Sequence, residues 1–309
     1  MRVSSLSGTM TRGKALGLAG SSGLALFGAL GHLPKGLGVP GPDRALAEAT
    51  PSGQAHAASF QSHALGSRLH FVVHMPASYA GGSGRYPVVY FLHGLPASPT
   101  SYLQLTWVAE ALAQTARAAI LVIPQGTRVA DSDPEYHNWA PGDDWETALA
   151  QELPAWIDTN YRTLADRRSR AIIGYSAGGY GASIIGLHHP EQFSVIQSWS
   201  GYFQPTDPTG RKPLSVGSVA ENDQANVEHL IPALPTQFAQ HPTKFAFYVG
   251  ASDPTFVPAN SSLQQALTAA RIEHLFRLYP GGHTTALWRA HAPAWLALAV
   301  DSLTGALVV

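Results

Sequence analysis

Seven short apolar runs, most of them rich in β-branched and aromatic residues, alternate with longer helix-compatible stretches and constrain this chain more than any other feature. They are residues 69–73, 87–92 (PVVYFL), 118–123 (AAILVI), 169–173, 193–198, 244–249 (KFAFYV) and 274–279. Runs without polar alternation suit strands buried on both faces. Helices are predicted between and after them, over residues 101–115, 145–159, 178–188, 261–270 and 285–303. Strands alternating with helices imply an α/β class, a mostly parallel sheet covered by helices on both faces. In such a sheet, loops at the carboxyl ends of strands build the functional site. Residues 125–144 and 204–240, rich in Pro, Asp, Asn and Gly, read as long loops with short helices, of this kind.

The 309 residues, 45% hydrophobic, divide into a leader over 1–57 and one large domain over 58–309. In the leader, Arg12 and Lys14 precede a small, apolar stretch at 15–33, the order of a signal peptide. Ala45-Leu46-Ala47 offers a small-residue cleavage signal, with a retained anchor or an unstructured leader as the alternatives. Export or a cell-surface location is the expectation, with no stable membrane span after processing. Net charge is −1, and no run of Lys and Arg follows a phosphate backbone, so nucleic acid is not an expected partner. Cysteine is absent, which removes disulfides, thiolate metal sites and a cysteine nucleophile. No H-E-x-x-H occurs, and neither His188-His189 nor His283 with His291 brings an evident carboxylate set, so no metal site is expected.

Gly174-Tyr175-Ser176-Ala177-Gly178-Gly179 follows one apolar run and opens a helical stretch. That is the context of a nucleophile elbow, where glycines two residues either side let strand and helix approach and the serine hydroxyl projects above the sheet. A serine hydroxyl needs a base, and the base a carboxylate to set its tautomer. In the order serine, acid, histidine, Asp253 stands directly after the run KFAFYV, and His283 just past the last run. The oxyanion donors expected are the N–H of Ala177, after the nucleophile, and the N–H of Leu95 in His93-Gly94-Leu95. His93 reads as a shaper of that loop rather than a catalytic group. Tyr175 and Trp139 are candidate substrate-binding residues; Trp145, Tyr136, Tyr202 and Trp288 read equally as pocket lining or packing.

Several stretches together resemble the esterase D and antigen 85 (mycolyltransferase) branch of the α/β hydrolases. They are Asp144-Trp145-Glu146-Thr147 with Glu152-Leu153-Pro154-Ala155-Trp156-Ile157, the elbow GYSAGGYGA, His189-Pro190-Glu191-Gln192-Phe193, the Ser200-Gly201 pair, and YPGGH before Trp288. The resemblance runs over residues 59–303. It implies an α/β-hydrolase fold, acyl transfer through Ser176, Asp253 and His283, oxyanion donors at Leu95 and Ala177, and no cofactor. Two departures favour water over a sugar as acyl acceptor: the acid is Asp where mycolyltransferases carry Glu, and the cysteines typical of mycolyltransferases are missing.

The expected function is hydrolysis of a small-molecule or cell-envelope carboxylic ester. Acyl transfer to a carbohydrate or other alcohol, and a non-catalytic surface protein on the same scaffold, are the competing readings. Activity is expected to fall at low pH, because a protonated imidazole cannot act as base.

Overall fold

In the computed structural model, which describes residues 49–50, 53–130, 135–207 and 212–304, the apolar runs form the strands of one sheet. The strands are β1 (Ala49–Thr50), β2 (Gly53–Ser62), β3 (Ser67–His74), β4 (Val88–Leu92), β5 (Ile120–Pro124), β6 (Arg170–Tyr175), β7 (Val195–Trp199), β8 (Lys244–Gly250) and β9 (Leu275–Tyr279). Their order across the sheet is β1-β2-β3-β5-β4-β6-β7-β8-β9. Pairing is antiparallel from β1 to β5 and parallel from β5 onward. With helices on both faces, this is the α/β-hydrolase fold expected from the sequence.

Side-chain alternation feeds two cores. In β4, Val88, Tyr90 and Leu92 enter one, while Val89 and Phe91 enter the other. The core below Val89 and Phe91 is closed by Trp107 and Val108 of α1 (Thr106–Leu112) and by Trp288, Trp295 and Leu296 of α9 (Thr285–Ser302). The opposite core is closed by three helices. Leu153 and Ile157 come from α3 (Leu153–Asn160), Ile184 and Ile185 from α4 (Ala177–His188), and Leu263 and Leu267 from α8 (Val257–Ala269). A short α2 (Trp145–Thr147) and a π turn (Ala148–Glu152) lead into α3.

Three local differences from the sequence reading have physical causes. First, β2 begins at Gly53, so the boundary drawn between 57 and 58 falls inside a strand. Its sequence, GQAHAASFQS, lacks β-branched residues, and the strand is specified by its pairing with β3, from Ala55↔His74 to Ser62↔Ser67. Second, the helix expected over 101–115 is a 3₁₀ turn (Ser101–Gln104) followed by α1, because Leu105 between them leaves helical geometry at φ −94° and ψ 29°. Third, α8 starts at Val257 with Pro258 in its first turn, where a missing N–H breaks no helical bond. The segment 204–240 carries α5 (Val219–Gln224), α6 (Val227–Leu230) and α7 (Leu234–Gln240), the first opened by a reciprocal Ser218–Glu221 capping box. The basic and apolar parts of the leader and Ala45-Leu46-Ala47 lie outside the described residues. Among the described residues no helix is long and apolar enough to cross a membrane.

Candidate active site

Register brings the strand ends level: Leu92 pairs with Gly174, Tyr175 with Trp199, Trp199 with Tyr248, and Gly250 with Tyr279. The loops that follow these strands therefore open on one edge of the sheet. Ser176 sits between β6 and α4 at φ 55° and ψ −124°, a backbone state that a non-glycine residue holds only when its surroundings impose it. Its N–H is fixed to Trp199 O at 2.9 Å. The flanking glycines are sterically required: a Cβ on Gly174 would lie 2.1 Å from Gly178 O, and one on Gly178 would lie 2.2 Å from Leu92 O. Gly94 is equally confined, since a Cβ there would meet Ser176 Cβ at 2.8 Å.

Asp253 and His283 converge on this serine. His283 Nε2 lies 2.9 Å from Ser176 Oγ, and His283 Nδ1 lies 2.9 Å from Asp253 Oδ2. The loops bearing the acid and the histidine are stitched together by Ala251 N–H to Tyr279 O and Ser252 N–H to Gly281 O, each 2.8 Å. Asp253 Oδ1 accepts the N–H groups of Thr255 and Phe256, both at 3.1 Å, so all of its hydrogen bonds favour the ionised form. Burial alone pushes this carboxyl's pKa up, but the hydrogen bonds from His283, Phe256 and Thr255 outweigh it and hold the pKa below the ordinary carboxylate value.

Leu95 follows Gly94, whose backbone lies against Ser176, and its N–H has no acceptor among the described residues. Ala177 is the first residue of α4, where N–H groups have no intrahelical partner. Both N–H groups thus belong to segments that adjoin Ser176.

The family described as "Putative esterase" matches residues 62–297. The chain belongs to this esterase family. An esterase of Mycobacterium tuberculosis is 28% identical over 142 residues, which cover 46% of this chain and 31% of that protein. A diacylglycerol acyltransferase/mycolyltransferase of Mycobacterium leprae is 37% identical over 79 residues, covering 26% of this chain and 22% of that protein. The chain therefore spans less than a third of the length of these curated relatives. Among solved structures, an S-formylglutathione hydrolase from Agrobacterium tumefaciens superposes with a TM-score of 0.70 at 19% identity, covering 84% of this chain and 99% of the other. A ferulic acid esterase superposes with a TM-score of 0.66 at 22% identity, covering 81% of this chain and 98% of the other. At these identities the structural likeness establishes the fold.

The histidine preceding Gly94 in this esterase-family chain is a brace. His93 is buried, and its Nε2 accepts Gly126 N–H at 3.0 Å, so the ring proton sits on Nδ1, 3.1 Å from Gly94 O. Burial lowers its pKa, partly offset by the Gly94 carbonyl, and keeps it neutral. Tyr136 OH donates to His93 O at 2.5 Å and tethers the same loop. Of the aromatic candidates, Trp145 and Tyr202 are buried, the former donating to Asp143 and the latter to Glu135. Tyr175 is half-buried and packs at a tilt against Trp288, with ring centroids 4.5 Å apart. Trp139, also half-buried, packs edge-on against His137 at 6.3 Å.

Glu146 carries no mark in the sequence as a partner for histidine. Its Oε1 lies 2.9 Å from both His188 Nδ1 and His189 Nε2 and joins α2 to the end of α4. This shared carboxylate comes from 42 and 43 positions upstream, while Glu191, two residues beyond His189, lies 3.4 Å from His189 Nδ1. Among the described residues no group of three such side chains could hold a metal ion.

Proposed function

We propose that this protein hydrolyses carboxylic esters through Ser176, His283 and Asp253 by way of an acyl-enzyme intermediate. The observation that carries the reading is the unbroken hydrogen-bonded line from Ser176 Oγ through the His283 ring to Asp253, with 2.9 Å at each step. In the first half-reaction His283 Nε2 takes the hydroxyl proton as Ser176 Oγ bonds to the ester carbonyl carbon. The charge on the resulting oxyanion falls to the Leu95 and Ala177 N–H groups. As the C–O bond to the alcohol breaks, His283 returns that proton to the departing oxygen. Water, deprotonated by the same ring, then releases the carboxylic acid and restores Ser176. Asp253 stays ionised throughout, holding the Nδ1–H tautomer and offsetting the imidazolium charge.

A second reading has its own support. The acyltransferase/mycolyltransferase relative indicates that an alcohol can replace water in the second half-reaction, because both attack the same acyl-enzyme. The test is hydrolysis of p-nitrophenyl acetate, butyrate and octanoate by the wild type and by Ser176→Ala and His283→Ala, with product analysis in the presence of a candidate acceptor alcohol. Activity lost in both variants, with circular dichroism unchanged and free acid the dominant product, is the expected result. Transacylated ester exceeding free acid would transfer the assignment to the second reading. Full activity in Ser176→Ala would overturn both.

A further inference from the structure

The Ser200-Gly201 pair and Trp288 are features of the sequence that the triad leaves unused. Ser200 follows β7, is fully buried, and adopts φ 52°, a left-handed state uncommon for a residue with a side chain. Its N–H is tied to Tyr248 O at 2.6 Å. Its Oγ accepts the indole N–H of Trp288 at 3.0 Å. Trp288, itself buried, stands edge-on to the His283 ring, with centroids 5.1 Å apart and an interplanar angle of 89°. Phe256 also packs against the imidazole, at 4.9 Å.

The hydrogen bonds of His283 leave a specific freedom that these rings remove. Its two partners, Ser176 Oγ and Asp253 Oδ2, lie at opposite ends of the ring, so the two bonds constrain rotation about the line joining them only weakly. The backbone behind it is Gly281 at φ 125° followed by Gly282, which adds little stiffness. We propose that the Ser200–Trp288 hydrogen bond is a positioning device: it locks the indole as a wall that fixes the rotation of His283, making Ser200 and Trp288 positioning residues. This rests on the reading of Ser176, His283 and Asp253 as the reacting triad. The strained backbone at Ser200 fits the role, since it aims a hydroxyl at a buried donor that would otherwise be unpaired.

The test is a double-mutant cycle on the full chain with Ser200→Ala, which removes only the hydroxyl, and Trp288→Phe, which keeps a ring but not its N–H. Turnover of p-nitrophenyl butyrate is expressed per site titrated with a fluorophosphonate probe, so that misfolded protein does not count. Each single variant is expected to lose about tenfold in kcat with KM within about twofold, because misalignment of the base acts on the transition state rather than on substrate binding. The double variant is expected to lose the same tenfold, since all three break one bond. Wild-type kcat per titrated site in both single variants, or losses that multiply in the double variant, would overturn the proposal. Ser176→Ala run in parallel separates the two failures: if it is inactive while Ser200→Ala and Trp288→Phe turn over normally, only the positioning role is lost.

Discussion

Replacing Asp253 by Asn changes one oxygen to NH₂ with almost no change in shape, and the surrounding donors dictate how the new amide must sit. Oδ1 accepts two backbone N–H groups, from Thr255 and Phe256 at 3.1 Å each, and the side chain is 1% exposed, so water cannot substitute for a lost partner. The amide oxygen must therefore face those donors and the NH₂ must face His283 Nδ1. The reverse orientation would leave two buried N–H groups against a donor, at about 1–3 kcal/mol each, or about 2–6 kcal/mol together. An NH₂ aimed at Nδ1 makes that nitrogen an acceptor and moves the ring proton to Nε2, which points at Ser176 Oγ. A base already protonated on the side of the nucleophile cannot take its proton. The expected loss is about 10⁴-fold in kcat, the size seen where an acid of this type is neutralised without change of geometry, corresponding to about 5 kcal/mol of barrier. The assay is p-nitrophenyl butyrate hydrolysis with circular dichroism as a check on folding. A folded Asp253→Asn variant within tenfold of wild-type kcat would refute the tautomer argument.

Two further perturbations probe the scaffold. Gly178→Ala would place a Cβ 2.2 Å from Leu92 O and 2.7 Å from His93 O, both backbone atoms that cannot swing away. Either α4 or the loop after β4 must shift by about 1 Å, and a loss of about 10²-fold in kcat/KM is expected; wild-type kinetics would show that the two elements are not rigidly apposed. Glu146→Gln should destabilise in a pH-dependent manner. Burial pushes this carboxyl up, but hydrogen bonds from His188 and His189 prevail and bring its pKa from 4.5 down to about 2. A depressed carboxyl contributes stability that is present above its unfolded pKa and lost as pH falls through the folded value, at most about 3 kcal/mol here. His189 is opposed by burial but raised overall by Glu146 and, to a smaller extent, by Glu191, so the part of its share that Glu146 supplies is complete below the ordinary histidine value of 6.5 and is lost as pH rises through the raised one. Urea titrations at pH 3, 5.5 and 8 should show the largest gap between wild type and Glu146→Gln at pH 5.5, and a gap independent of pH would contradict the linkage.

Features legible in the sequence and features hidden from it divide along a physical line. The meeting of Ser176, Asp253 and His283 was legible because each closely follows an apolar run, and a parallel sheet delivers the carboxyl ends of its strands to one edge whatever the details of packing. The elbow glycines were legible for a stricter reason: the clashes at 2.1 and 2.2 Å arise between backbone segments whose approach the turn itself imposes. Strand β2 was not legible, since nothing in GQAHAASFQS favours a strand until β3 offers it a ladder. The bonds from Glu146 to the two histidines span 42 and 43 positions, and the bond between Ser200 and Trp288 spans 88. Residue types flag all of these side chains, but only the fold pairs them. For Ser200 and Trp288 the missing information is the sheet order. Ser200 leaves the end of β7 and Trp288 follows β9, and with β8 lying between those strands the two meet only because α9 turns back across the sheet and sets Trp288 in the same core as Trp199 and Tyr248. A contact of that kind depends on a helix crossing, which a linear pattern of apolar runs does not encode, whereas the meeting of Ser176, Asp253 and His283 at the strand ends depends only on the sheet being parallel.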